Sequence, residues 1–478
     1  MSSITTIRQT SEEQQPLDES SAASALPWVE LADRLKGALL TPAHPEWEAA
    51  RMPWTVNVDQ RPAAIALCAD VEDVVTAVRW AGEHGISVTA QPSGHSARRT
   101  LDGTLLLRTR GLDGIHVDLE RRVARVGAGT KFGELLAALD GTGLAPLVGS
   151  NPDPSVVGFT LGGGISWLSR KHGFTANSVL SLDVVDADGS ARRVDAESDP
   201  DLFWALRGGG GDFAIVTGME LRLYAADDLY GGRLLWPVHH AGAVLRAFRD
   251  LALMAPRDLS VWAHIMHFPP LPELPEPIRG RSFVTVAALC LGGEHLGEAL
   301  LWRLRESAPV ELDLMGPVSI AGIGDVADEP TEPMPILEHA MLLEALDDEA
   351  IDALVAATSD SATCPLMIVQ VRGLGGAFAD RPADGGAVCA VDAPFGLWAA
   401  GVPATPELAS AIPGAFDDLD AALGRLATGR RMPNLSGEGQ PDSAGYDPDT
   451  LARLQEIKRA RDPRGVIRSN KPVLGPTP

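Results

Sequence analysis

Apolar positions in the first half of the chain alternate between short strand-like runs and longer stretches with helical spacing. Pro62–Cys68 (PAAIALC) predicts a strand, and Val71–His84 has apolar residues at helical intervals, with Gly85 as a stop signal. Ile86–Ala90 predicts the next strand, which runs into a Ser-Gly-His turn. Gly103–Thr109, Ile115–Asp118 and Arg122–Val126 predict further strands, and Phe132–Leu139 a helix. Leu180–Ala187, the pair Asp188-Gly189 and Ser190–Val194 together predict a hairpin.

The pattern changes near Trp236. Ala241–Ala255 is amphipathic with a helical period, and Val261–Phe268 and Phe283–Cys290 predict strands around a proline-rich turn, PPLPELPEPIRG. His295–Glu306 predicts a helix and Leu366–Arg372 a strand. The stretch from Glu407 is expected to be mostly helical, closing at Asp462-Pro463 before an extended tail. Helices beside consecutive antiparallel-type strands indicate an α+β fold. The expected organisation is a disordered leader over 1–25, a first domain over 26–236, a second over 237–435, and a C-terminal segment, 436–478, returning to the first.

Composition narrows the function classes. The 478 residues include 40 Lys+Arg against 64 Asp+Glu, a net charge of −24, and 45% are apolar. That apolar share supports real cores and excludes a globally disordered chain. The acidic balance argues against a nucleic-acid partner, which needs a basic face to displace counterions. No apolar run reaches the roughly 18 residues of a membrane span, and the polar N-terminus lacks a secretion pattern. Cys68, Cys290, Cys364 and Cys389 lie far apart, as expected for thiols in a reducing cytoplasm and not for a metal site.

Three glycine-bearing segments carry the candidate chemistry: QPSGHSARR at 91–99, GFTLGGGISWLSRKHG at 158–173 and RGGGGDFAIVT at 207–217. Glycine lets successive backbone amides approach an anion, forming a nest for phosphate oxygens. Neither a nucleoside-triphosphate loop nor a strand–GxGxxG–helix unit is present. A large phosphate-bearing cofactor of another kind fits three such loops.

The ordered combination of motifs resembles the berberine-bridge-enzyme-like group of FAD-linked oxidases, within the vanillyl-alcohol-oxidase-type flavoproteins. The resemblance runs from about Trp54 to Val473. It rests on WTVNVDQRPAAIALCADVEDVVTAV, SGHS at 93–96, LGGGISWLSRKHG at 161–173, RGGGGDFAIVT, LGGA at 374–377 and YDPDTLARLQEIKRARDPRGVIRSN at 446–470. It implies a two-subdomain FAD-binding domain of the PCMH type and a substrate domain whose antiparallel sheet is covered by helices.

Residue by residue, the resemblance implies that Ser93, Gly94 and Ser96 contact the FAD pyrophosphate and that His95 bonds covalently to the flavin. Doubly attached relatives carry a cysteine where this chain has Asn151, in NPDPSVVG, so attachment is expected through His95 alone. Gly158, Thr160, Gly162, Gly163 and Gly164 would lie against the isoalloxazine and pyrophosphate. Gly209, Gly211 and the backbone at Ile215 would reach toward the ribose and adenine. Asn434 matches an asparagine that bonds the ring, although the tyrosine that usually precedes it by two positions is Met432 here.

Oxidation of an alcohol or phenol needs a base for the proton that leaves with the hydride. His172 stands where some relatives have a tyrosine in R-K-Y-G, and Gln370 where certain relatives have a carboxylate. Tyr446 matches a tyrosine that recurs before the last helix. Strict alternation puts Ile368, Gln370 and Arg372 on one strand face, and Trp262, His264 and Met266 on one face of another, with either face free to be core. The expected function is an FAD-dependent oxidase of an alcohol, amine or phenolic natural-product intermediate, with O₂ as acceptor. The alternative is a non-redox flavoprotein using FAD as a structural element.

Overall fold

Helix Val71–His84 forms because both ends are closed locally: the Asp70 carboxylate accepts from the Asp73 amide at 3.1 Å, and Gly85 takes φ 70°. Its buried Asp73 accepts from the amides of Lys36, Gly37 and Ala69, so the helix also anchors the edge strand Ala38–Leu40. The computed structural model describes residues 26–437 and 439–475, and the expected leader 1–25 lies outside them.

The first region contains two principal sheets. One orders Ala38–Leu40, Ala64–Leu67, Leu105–Arg108 and Val88–Ala90, parallel except at its first pair. The other is antiparallel, ordering Ile115–Asp118, Val123–Gly127, Ile215–Arg222, Val179–Val185 and Ala191–Val194. Helix Phe132–Leu139 and the expected hairpin at Asp188-Gly189 are both present.

The second region is an eight-stranded antiparallel sheet. Its centre orders Leu229–Pro237, Ser282–Leu291, Leu259–His267, Ile368–Gly373, Phe395–Gly401 and Leu337–Leu343. Strand Leu229–Pro237 lies in this sheet although nearly all of it precedes the expected boundary at 237. Helices Ala241–Met254, Gly293–Ser307, Asp348–Thr358 and Pro406–Leu423 contribute to a core on one sheet face. Val261, Ala263, Ile265, Val369 and Val371 point into that core, which resolves the choice of faces. Trp262, His264, Met266, Ile368, Gln370 and Arg372 therefore belong to the opposite face.

Beyond Leu423 the chain departs from the expected helicity. Short 3-10 turns occupy Pro433–Leu435 and Asp442–Gly445 before helix Pro448–Arg461. The tail is then locked to the first region. Buried Lys458 donates to the carbonyls of Asp212 and Ile467, both at 2.7 Å, and to Asp462 at 2.8 Å. The Asp212 carboxylate in turn accepts from the amides of Ser469 and Val473. This satisfies a buried cation and carboxylate together, the condition under which burying them is tolerated. The four cysteines are free thiols, and no helix among the described residues is long and apolar enough to cross a membrane.

Candidate functional site

A cavity of about 690 Å³ lies between the glycine-bearing turns and the open face of the large sheet. Ser93, Gly94, His95 and Ser96 line it. Gly94 has φ 85°, and a Cβ there would sit 2.7 Å from the Cβ of Pro53, so only glycine fits this turn. Ser96 is also left-handed, with φ 55°. Among the described residues no acceptor is bonded to the backbone amides of residues 93–96. The turn is held from outside: Asn470 donates to the Ser96 carbonyl at 2.7 Å and accepts from the Arg98 amide at 3.0 Å.

His95 stacks on Trp54 with ring centroids 4.3 Å apart, and its Nε2 meets Asp153 Oδ2 at 2.7 Å. Burial alone would raise the Asp153 carboxyl, but the bonds from His95 and Lys131 outweigh it and hold the group below its ordinary value. Asp153 therefore stays ionised and fixes the imidazole, leaving Nδ1 as the ring nitrogen with no partner among the described residues.

Gly158, Gly162, Gly211, Ile215, Asn151 and Asn434 also line the cavity. Asn434 donates to the Phe159 carbonyl at 2.9 Å, and its Oδ1 lies 1.7 Å from where a Gly162 Cβ would be. Gly162→Ala should thus push Asn434 off Phe159 and cost about 1–3 kcal/mol, measured as a lower thermal unfolding midpoint. Asn151 donates to the Pro330 carbonyl at 2.8 Å, tying the turn to the loop that precedes strand Leu337–Leu343.

Four expected contacts fall elsewhere. Thr160 is buried and bonds the Val156 carbonyl within its own helix. Gly163 packs on Val388, Gly164 on Phe159 and Thr175, and Gly209 on Ala205 and Leu454. These are close-packing positions behind the wall.

The remaining wall suits the implied group. The hydroxyls of Thr55, Thr109 and Ser469 are buried on it without a hydrogen-bond partner. Orphaned donors of this kind, with the amides of residues 93–96, need a polar ligand. A phosphate-bearing dinucleotide matches that donor set.

On the sheet side, register places His264 opposite Gln370 and Trp262 opposite Arg372. Arg372 Nε donates to Gln370 Oε1, which turns the amide so that its Nε2 donates to His264 Nε2 at 2.7 Å. His264 must then carry its proton on Nδ1, which meets Thr285 Oγ1 at 3.1 Å. Burial, then the charges of Arg372 and Arg233, push this imidazole down to about 3. His264 lines the cavity as a neutral ring with both nitrogens engaged. Gln370 is fully buried behind it and does not reach the cavity.

Tyr446 lines the cavity and donates to the Gly208 carbonyl at 3.4 Å, and burial raises its phenol above the ordinary value. His172 is not at the cavity. It ends the short helix Ser169–His172 and stacks on Tyr224 at 4.0 Å, with Nε2 buried and unpartnered. Burial, then the Lys171 charge, hold it down to about 4. An imidazole so depressed binds its proton more readily when unfolded, so the fold should lose stability as pH falls from about 6.5 toward 4. His172→Phe should flatten that loss, measured as urea midpoints at neutral and acid pH, and leave turnover unchanged.

Several ionisable side chains on the cavity wall did not figure among the sequence candidates: Arg233, His267, Asp328, Glu329 and Arg468, and, of most consequence here, Glu338, Arg372 and Lys471. Glu338 is on strand Leu337–Leu343, in the cross-strand row Met266, Ile368, Ala400, Glu338. Its Oε1 accepts from the Trp398 indole at 2.9 Å, and burial raises its carboxyl above the ordinary range despite that bond. Around it Ile336, Ile368 and Ala400 form an apolar cluster with Trp54, Met266, Met367 and Trp398. Lys471 donates to the Pro433 carbonyl, and burial, then Arg98, lower it to about 8.

Comparison with known proteins gives concordant matches. The FAD binding domain family matches residues 62–195. The chain is 28% identical to (R)-6-hydroxynicotine oxidase of Paenarthrobacter nicotinovorans, over 91% of this chain and 96% of that protein. It is 34% identical to the glucooligosaccharide oxidase of Sarocladium strictum over 45% of each. The solved structure of Physcomitrella patens BBE-like 1 superposes with a TM-score of 0.80 at 19% identity, covering 94% of this chain and 99% of that one.

Proposed function

We propose that the chain is a berberine-bridge-enzyme-like FAD-linked oxidoreductase that oxidises a small alcohol, amine or phenolic intermediate with dioxygen as acceptor. The observation that carries this reading is a single cavity with two unlike walls. One wall offers unpaired amides and orphaned hydroxyls; the other carries an apolar patch that holds the Glu338 carboxylate.

Residues 93–96, Gly211, Thr109 and Ser469 would hold the phosphate-bearing part of FAD, and Asn434 with Gly158 and Gly162 its ring. When bound, FAD supplies the hydride acceptor. His95 is the point of attachment: its Nε2–H donates to the Asp153 carboxylate, so the lone pair is presented at Nδ1. Trp54, Met266, Met367 and Trp398 enclose the apolar part of the substrate and keep water from it. Glu338 takes the proton that an alcohol, phenol or aminium loses as its hydride departs. His264 and Gln370 position Arg372 and do not exchange protons.

The test is anaerobic addition of a panel of benzylic alcohols, secondary amines and phenols to the purified holoprotein. Bleaching of the flavin band near ~450 nm, with recovery and peroxide formation on admitting air, is the expected result. Conversion without bleaching would assign the non-redox role, and a colourless protein that takes up no FAD would overturn both.

A further inference from the structure

We infer that Arg372 is an anchor for an anionic group on the substrate, and that the physiological substrate carries a carboxylate or an equivalent oxyanion. The inference rests on the proposed reading only in taking the sheet side of the cavity as the substrate chamber.

Arg372 is 6% exposed, lines the cavity and forms no ion pair among the described residues. Three carboxylates line the same cavity and none forms an ion pair with it: Asp328 is taken by Arg233, Glu338 by the Trp398 indole, and Glu329 acts on Arg372 only through space. Leaving a guanidinium buried without a counter-ion is unfavourable in a chain that carries 64 acidic residues, so the site is built to receive one. Its orientation is fixed on two sides. Nε is spent on Gln370, and the plane lies 4.0 Å from the Trp262 ring, itself stacked on Trp167 at 3.7 Å. Nη1 and Nη2 have no hydrogen-bond partner, yet they are not among the sealed unpartnered atoms, so they open onto the cavity. Two parallel N–H groups in one plane are the complement of a carboxylate. A neutral polyol would leave the charge uncompensated.

The test is calorimetric titration of the holoprotein with benzoate and with benzamide, its neutral isostere. Benzoate should bind at least ten-fold more tightly, and Arg372→Met should erase the difference while keeping the flavin content and the melting temperature. Equal affinities in the wild type, or a preference retained by Arg372→Met, would overturn the inference. So would loss of flavin from Arg372→Met without any benzoate preference in the wild type, which would assign the guanidinium to the cofactor. Should Arg372→Met fail to fold, Arg372→Lys keeps the charge without the fork; several-fold weaker benzoate binding is expected, and unchanged binding overturns the inference. These titrations need no turnover, so they are independent of whether the oxidation panel finds a substrate.

Discussion

Acid precipitation should leave the flavin of the wild-type protein on the denatured chain and release all of it from His95→Ala. The geometry around His95 makes this the sharpest expected contrast. Trp54 lies against one face of the imidazole, and Asp153, itself held by Lys131, fixes Nε2. The ring is therefore immobile and in one tautomer before any cofactor arrives, which is what a slow covalent reaction of a neutral imidazole requires. Asp153→Ala removes the tautomer control but not the nucleophile, so attachment should slow without vanishing. The His95→Ala protein should still bind flavin reversibly, because the unpaired amides and the Asn470 clasp remain. Fluorescence of the band on a denaturing gel is the readout. Quantitative release from the wild type would remove the covalent claim.

Glu338→Gln should lower the rate of anaerobic flavin bleaching by about 10²- to 10⁴-fold, the usual contribution of a positioned base. The substitution keeps the volume and an acceptor for the Trp398 indole, so flavin content and folding should be unaffected. The pH dependence supplies a second signature. Burial holds the carboxyl above its ordinary value, so the active carboxylate appears only above the usual range near ~4.3. The wild-type rate should climb through that raised value as pH increases, and the Glu338→Gln rate should be flat there. A variant with the wild-type rate and profile would exclude Glu338.

Much of the frame was legible because it is written in local signals. Helices Val71–His84 and Phe132–Leu139 have the bounds expected for them, the first from its apolar periodicity and the stop residue Gly85. The SGHS turn was legible from glycine and its neighbours alone. Glu338 was not. Its segment, LEHAMLLEAL, is composed of strong helix formers, yet Leu337–Leu343 is a strand because it pairs along its length with Phe395–Gly401. Propensity was overridden by a partner far along the chain, and the carboxylate disappeared with the strand. His172 was placed by analogy with a motif; Tyr224, on the later strand Tyr224–Ala225, is what captures its ring. Asp153 lies in NPDPSVVG, 58 positions from His95, and nothing local marks it as the imidazole's partner. Gln370 lay on the strand face predicted for it, but its service to Arg372 depends on registry with His264, which alternation within one strand does not encode.

The fastening of Ser96 by Asn470 and of Asp212 by Lys458 has a consequence for biosynthesis. Two of the three turns that greet the coenzyme are completed by residues translated long after them. A nascent polypeptide that has cleared the ribosome only as far as the large sheet has the cup without its rim. Coenzyme capture must therefore wait until translation has passed residue 470, and a premature stop in the last helix would yield an apoprotein rather than a weakened enzyme.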